Sequence, residues 1–210
     1  MIFKNRMHAA ELLAEKLQQY RGSRPLVLGV PRGAVPMARH IARALDGDLD
    51  VVLVRKLRAP GQPELAIGSI DETGHVYLNA YGVSTPAPYL EAEKARQLAL
   101  LAERRQLYGA ARIDPRGRTV IIVDDGLATG SSMIAAVRAV KREKPARVIV
   151  AVGAAPTETV ELLRAEADDV VAVIVADLFG AVGAFFEEFP QVSDEEVVAA
   201  LKTPEPIPAA

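Results

Sequence analysis

The residues best suited to chemistry lie together in Val120-Ile121-Ile122-Val123-Asp124-Asp125-Gly126-Leu127-Ala128-Thr129-Gly130-Ser131-Ser132. An apolar run delivers two adjacent carboxylates, and a loop of small residues then opens a helix. Paired carboxylates at the carboxyl edge of a sheet accept hydrogen bonds from vicinal hydroxyls, and that edge is where open α/β folds place ligands. Gly126, Ala128 and Gly130 permit close backbone approach, while free N–H groups and the positive end of the helix dipole favour an anion. Thr129, Ser131 and Ser132 add hydroxyl donors. A phosphate at the helix start, with a polyhydroxyl group beside the carboxylates, satisfies the whole segment. A receiver domain also pairs two acids, but places them near the start of the chain with a phospho-accepting Asp one strand later. A Walker B strand ends similarly, yet the chain has no G-x-x-x-x-G-K-[ST] loop.

Several elements must position these groups. Ala10, Leu13, Leu17 and Tyr20 recur at helical spacing, with Gly22 as a stop. Pro25 to Val30 reads as a strand, Pro31-Arg32-Gly33 as a turn, Ala34 to Leu45 as a helix, and Leu49 to Val54 as a second strand. That is the grammar of a βαβ crossover in a parallel sheet. The pattern then breaks into a hairpin excursion, with strands at Leu65 to Ile70 and Val76 to Leu78 around a turn at Asp71 to Gly74, followed by a long helix from Tyr89 to Tyr108. Two further βα units follow, at 119–143 and 147–166, and a last strand, Asp169 to Ala176, whose Val, Ala and Ile run predicts burial on both faces. Ser193 and Glu196 form a capping-box signature. The expected fold is α/β: a central, largely parallel twisted sheet flanked by helices, with a small hood subdomain and a flexible hairpin loop. One domain is expected over residues 1–210, its core at about 24–176, its hood from 1–22 and 177–203, and a disordered tail at 204–210.

Composition narrows the function. The 25 Lys+Arg and 27 Asp+Glu of this 210-residue chain give a formal charge of −2, which argues against bulk electrostatic coating of nucleic acid. No cysteine is present, which excludes disulfides and thiol nucleophiles, and His8, His40 and His75 are too scattered for a histidine metal cluster. Aromatic residues are 5% and Trp is absent, so base-stacking platforms have little material. With no apolar run near the ~20 residues of a membrane span and a charged start, the expectation is a cytoplasmic protein with neither membrane nor nucleic-acid partners.

The segment from Val120 to Ser132 resembles the 5-phosphoribosyl-1-pyrophosphate (PRPP) signature of type I phosphoribosyltransferases. The resemblance extends from about Phe3 to Leu201. Arg55-Lys56-Leu57, Pro60-Gly61-x-Pro63-Glu64-Leu65-Ala66-Ile67-Gly68 and Phe189-x-x-Val192-Ser193-Asp194-Glu195-Glu196-Val197 are similar to a poorly characterised bacterial group of phosphoribosyltransferases. It implies that Asp124 and Asp125 hydrogen-bond the ribose hydroxyls, and that Gly126, Leu127, Ala128, Thr129, Gly130, Ser131 and Ser132 cradle the 5′-phosphate. Pyrophosphate would fall to Pro31, Arg32 and Gly33, whose Arg-Gly pair is expected to include a non-proline cis peptide, and to Arg55 and Lys56, with Arg58 nearby. Ala34 stands where this loop usually has a second glycine. The excursion from Ala59 to Tyr81 takes the place of the family's flexible loop, which closes over the site and excludes water.

The resemblance further implies transfer through an oxocarbenium-like ribosyl cation to a ring nitrogen of a base, a purine of the 6-oxo type being expected, with Mg²⁺ carried mainly on PRPP and no dedicated protein metal site. Ala128 stands where hypoxanthine-guanine enzymes carry an Asp, so an acid or base must come from elsewhere. Glu64 is the candidate, joining Asp124, Asp125 and Lys56 in the catalytic set. Phe179, Val182 and Phe185 are the candidate base-binding residues, plugging of the hood core being their alternative role. A homodimer is expected. The competing readings are a non-catalytic PRPP-sensing regulator of the same fold and a receiver-like phosphorylation switch.

Overall fold

The computed structural model describes residues 2–109 and 112–202. In chain order the elements are α1 (Arg6–Lys16), β1 (Leu26–Gly29), α2 (Val35–Ala44), β2 (Asp48–Val51), β3 (Val54–Ala59), β4 (Gln62–Asp71), β5 (Val76–Leu78), α3 (Ala80–Val83), α4 (Ala87–Tyr108), β6 (Thr119–Gly126), α5 (Ser131–Arg142), β7 (Arg147–Pro156), α6 (Thr157–Arg164), β8 (Asp169–Ala176) and α7 (Asp194–Lys202). The tail expected at 204–210 lies outside the described residues.

Five strands pair in parallel in the order β2-β1-β6-β7-β8, in register Leu28↔Ile122 and Ile122↔Val150. Side chains alternate across the pleat. Ile121, Val123, Ile149 and Ala151 join Leu13, Leu17, Met37 and Ile41 of the α1 and α2 segments in one buried cluster. Val120, Ile122, Val148 and Val150 join Met133, Val137, Val160 and Leu163 of α5 and α6 in another. The order reverses between β1 and β6. A doubly wound sheet opens a crevice at such a switch point, beyond the carboxyl ends of its strands.

Two expectations about strands are corrected. Leu49 to Val54 is not one strand: β2 ends at Val51, and Val54 starts β3 of a separate antiparallel sheet, β3-β4-β5. Arg55, Lys56 and Arg58, which follow Leu49 to Val54 in the sequence, therefore lie on a strand of this second sheet, with Lys56 opposite Ser69 and a register shift beside Arg58. The last strand is not buried on both faces. β8 is the sheet's edge, half-buried along its length with Val175 exposed, because β7 is its one strand neighbour.

A third cluster, around Leu57, Ile67, Ile70, Leu101, Tyr108 and Val197, fixes the small sheet to α4 and α7. Gly109, at φ +61°, ends α4 in the left-handed conformation that glycine adopts without a Cβ penalty. The capping box forms: the Ser193 N–H donates to Glu196 Oε2 at 2.7 Å, and the Glu196 N–H to Ser193 Oγ at 3.2 Å.

Candidate active site

The strand β6 ends in Asp124, Asp125 and Gly126, and α5 begins only five residues further on. Gly130 makes this tight turn at φ +68°, immediately before the first turn of α5. Thr129 and Ser131 are exposed, with their hydroxyls 3.2 Å apart, while Leu127 is buried and its N–H donates to Ala154 O. Leu127 thus anchors the loop, and Ala128, Thr129 and Ser131 form its exposed face. Thr159 of α6, which sequence patterning does not single out, donates its hydroxyl to Ala128 O at 2.8 Å. It sits so near Gly130 that a Cβ there would be 2.8 Å from Thr159 Cγ2.

The two carboxylates differ. The backbone N–H of Asp125 donates to Asp124 Oδ1 at 2.9 Å, and withdrawal from water, with Asp125 beside it, pushes the Asp124 carboxyl well above the usual carboxylate range. Asp125 is ion-paired with Arg6, Nε to Oδ2 at 2.7 Å. Arg6 is another residue with no sequence signal, since 119 positions separate the partners and tertiary packing alone brings them together.

Across the switch point, β1 leads into Pro31-Arg32-Gly33. The cis peptide expected in the Arg-Gly pair is found one bond earlier, between Pro31 and Arg32. Gly33 lies against Asp125, which joins the two loops, and the Arg32 guanidinium is 3.6 Å from Asp194 at the start of α7.

The cations of β3 form a third wall. Arg55, Lys56 and Arg58 line a cavity of about 360 Å³ together with Glu64, Ala66 and Ser132. Arg55 is steadied by Gln97 Oε1 at 2.6 Å; burial, then the nearby Arg104, Arg58 and Arg96, lowers its pKa. Buried Glu93 accepts the Arg58 N–H at 3.0 Å. The strand that carries the cations is thereby fixed from α4.

Phe179, Val182 and Phe185 gather beyond β8. Phe179 and Phe185 stack at 4.7 Å between centroids, and Val182 covers Gly126 so closely that a Cβ there would lie 2.5 Å from Val182 Cγ1. Phe3 bridges to this segment through its N–H to Phe185 O at 2.8 Å. The structure therefore brings these three residues to the carboxyl edge, with Phe179 and Phe185 facing each other.

A doubly wound α/β fold thus brings a carboxylate pair, a loop at a helix start and a wall of cations to the switch point of one parallel sheet. The chain belongs to the phosphoribosyl transferase domain family, whose model matches residues 2–185. A solved structure of the protein TT1426 from Thermus thermophilus is 48% identical, covers 96% of this chain and 98% of that one, and superposes with a TM-score of 0.85. A purine phosphoribosyltransferase from Pyrococcus horikoshii shares the fold, with a TM-score of 0.51 at 19% identity over 90% of this chain and 92% of its own. A Mycobacterium tuberculosis protein provisionally named a phosphoribosyl transferase is 40% identical over 205 residues, which are 95% of this chain and 46% of that protein. The chain spans about half the length of the curated relatives it matches.

Proposed function

We propose that this domain transfers the 5-phosphoribosyl group of PRPP to a ring nitrogen of a purine base and releases pyrophosphate. The observation that carries this reading is the meeting of three walls at one switch point: Asp124-Asp125, the loop from Ala128 to Ser132, and the cavity that Ser132 shares with Arg55, Lys56 and Arg58. The loop would seat the 5′-phosphate and the carboxylates the ribose hydroxyls. Pro31, Arg32, Gly33 and the β3 cations would take the pyrophosphate.

In the transfer, the C1–O bond to pyrophosphate breaks with its electron pair leaving on oxygen, and the lone pair of the base nitrogen forms the new bond to C1. The protein's largest contribution is charge stabilisation of the leaving group by Arg55, Lys56 and Arg58. Glu64 lines the leaving-group wall, where it is the candidate to exchange a proton with pyrophosphate. The base nitrogen's own proton passes to solvent or to a group on the base side. Phe179 and Phe185, stacked on each other and packed against the core, would receive a planar acceptor at the edge of that stack.

Among the described residues no group of three or more His, Cys, Asp and Glu is arranged to hold a metal. Two adjacent carboxylates beside a phosphate site do suit Mg²⁺, which is commonly bound by one or two carboxylates plus substrate phosphates. Here Asp124 and Asp125 would hold it through the ribose hydroxyls, and its chemistry would be neutralisation of pyrophosphate charge.

The deciding experiment adds PRPP and Mg²⁺ to the purified protein and screens purines, pyrimidines and related bases for pyrophosphate release. Release with a purine, lost on Asp124→Asn/Asp125→Asn substitution, is the expected result. PRPP binding without release for any base would replace the enzyme with a PRPP sensor, and absence of PRPP binding would overturn both. Lys56→Ala should depress turnover more than it weakens binding of ribose 5-phosphate, which has no pyrophosphate to contact.

A further inference from the structure

We propose that Arg6 is a positioning residue of the sugar site, holding one oxygen of Asp125 so that the other is presented to a ribose hydroxyl. The assignment rests on the function proposed above. Arg6 is the first residue of α1, fixed there by the Asn5 cap, whose side-chain oxygen accepts the His8 N–H at 3.1 Å. Three contacts then immobilise its guanidinium. Nε donates to Asp125 Oδ2 at 2.7 Å, Nη1 donates to Pro190 O at 2.5 Å, and the central carbon lies 3.7 Å above the Phe189 ring. Only 12% of the Arg6 side chain and 14% of the Asp125 side chain are exposed.

This geometry has a use beyond stability. Withdrawing two charges from water costs about as much as their attraction returns, so a sheltered pair is poor evidence for a stabilising role. A planar fork bonded in two directions and stacked on a ring does define an orientation, which a lysine's point charge does not. The orientation of Asp125 is set by Arg6 and by Gly33, which packs against Oδ2. Phe189 in turn packs on Phe186, with ring centroids 4.7 Å apart, and lies 3.3 Å from where a Cβ on Gly183 would stand. One guanidinium therefore connects the segment after β8, on the side assigned to the base, with the carboxylate assigned to the sugar.

The test compares two probes by calorimetry: ribose 5-phosphate, which has the sugar hydroxyls, and inorganic phosphate, which has a phosphate and no sugar. Arg6→Ala should weaken ribose 5-phosphate about ten-fold, as expected for a lost charged hydrogen bond, and leave inorganic phosphate within about two-fold. Arg6→Lys should recover only part of the loss. Phe189→Leu, which removes the stacking face and keeps an apolar side chain, should give a smaller loss confined to ribose 5-phosphate, and supplies the measurement if Arg6→Ala does not fold. Equal weakening of both probes, or no change for ribose 5-phosphate in either variant, would overturn the role of Arg6 while leaving the proposed function standing. Failure of the unsubstituted protein to bind ribose 5-phosphate or PRPP would overturn both.

Discussion

Gly33 lies so close to Asp125 that a β-carbon built on it would collide with Asp125 Oδ2 and stand 3.1 Å from Arg6 Nε. The glycine is required here by space, because no side chain fits between the turn after β1 and the carboxylate after β6. Gly33→Ala should push Asp125 out of its pairing with Arg6. Displacing a substrate-positioning group by about 1 Å costs on the order of a hundred-fold in rate, whereas the crowding itself costs about 1–3 kcal/mol of stability. Pyrophosphate-release assays and thermal melts separate the two effects, and turnover unchanged by Gly33→Ala would remove Asp125 from the sugar site.

Asp124 makes the opposite demand on stability. Its carboxyl is held well above the usual carboxylate range, first by loss of water and then by Asp125. Between its ordinary value near ~4 and the raised value, the folded protein binds more protons than the unfolded chain, so stability falls as pH rises through that interval. Asp124→Asn removes the penalty and keeps an oxygen to accept the Asp125 N–H. The variant should lose the proposed transferase activity yet melt a few degrees higher than the unsubstituted protein at neutral pH, with the difference closing towards pH ~4. Melting curves that stay parallel across this range would contradict the raised carboxyl.

Much of this arrangement was legible in the sequence. The run Val120 to Ser132 declares a strand ending in a carboxylate pair and a short loop into a helix by local chemistry alone, and Ser193-Glu196 declares a helix start. Tertiary relationships were not legible. Nothing in the spacing of Arg6 or Thr159 marks them, because each acts on a loop distant in sequence. Val52 and Leu53 read as continuing a strand since both are apolar and buried, yet the chain leaves one sheet there and enters another. The composition of β8 suits a central strand as well as an edge, and only its position in the sheet order distinguishes them.

Arg105 of α4 ties the small sheet to the parallel one. Its guanidinium reaches buried Asp50 at 2.7 Å, Glu72 at 2.7 and 2.8 Å, and Val51 O at 3.1 Å. Removing it leaves Asp50 as a sheltered charge without its guanidinium, a loss of roughly 3–5 kcal/mol, or about 6–20 °C in a domain of this size. Arg105→Met should show that drop in melting temperature, and adding Asp50→Asn should recover part of it. A double variant no more stable than the single one would show that the cost arises from Glu72 instead.

Thr159 supports the loop from Ala128 to Ser132 from behind, its hydroxyl on Ala128 O and its methyl against Gly130. Valine keeps both γ positions filled and removes only the donor, so Thr159→Val should preserve packing and lose one hydrogen bond, about 1 kcal/mol. The loop from Ala128 to Ser132 would then hold its carbonyl less firmly, and the N–H groups that follow would be less well aimed at an anion. Inorganic phosphate and ribose 5-phosphate should weaken by a similar few-fold factor, because the proposed function seats a phosphate of each on this loop, in contrast to the selective loss expected on changing Arg6. Calorimetric titration of Thr159→Val with both ligands checks this, and a loss confined to ribose 5-phosphate would mean that Thr159 acts on the sugar carboxylates rather than on the phosphate loop.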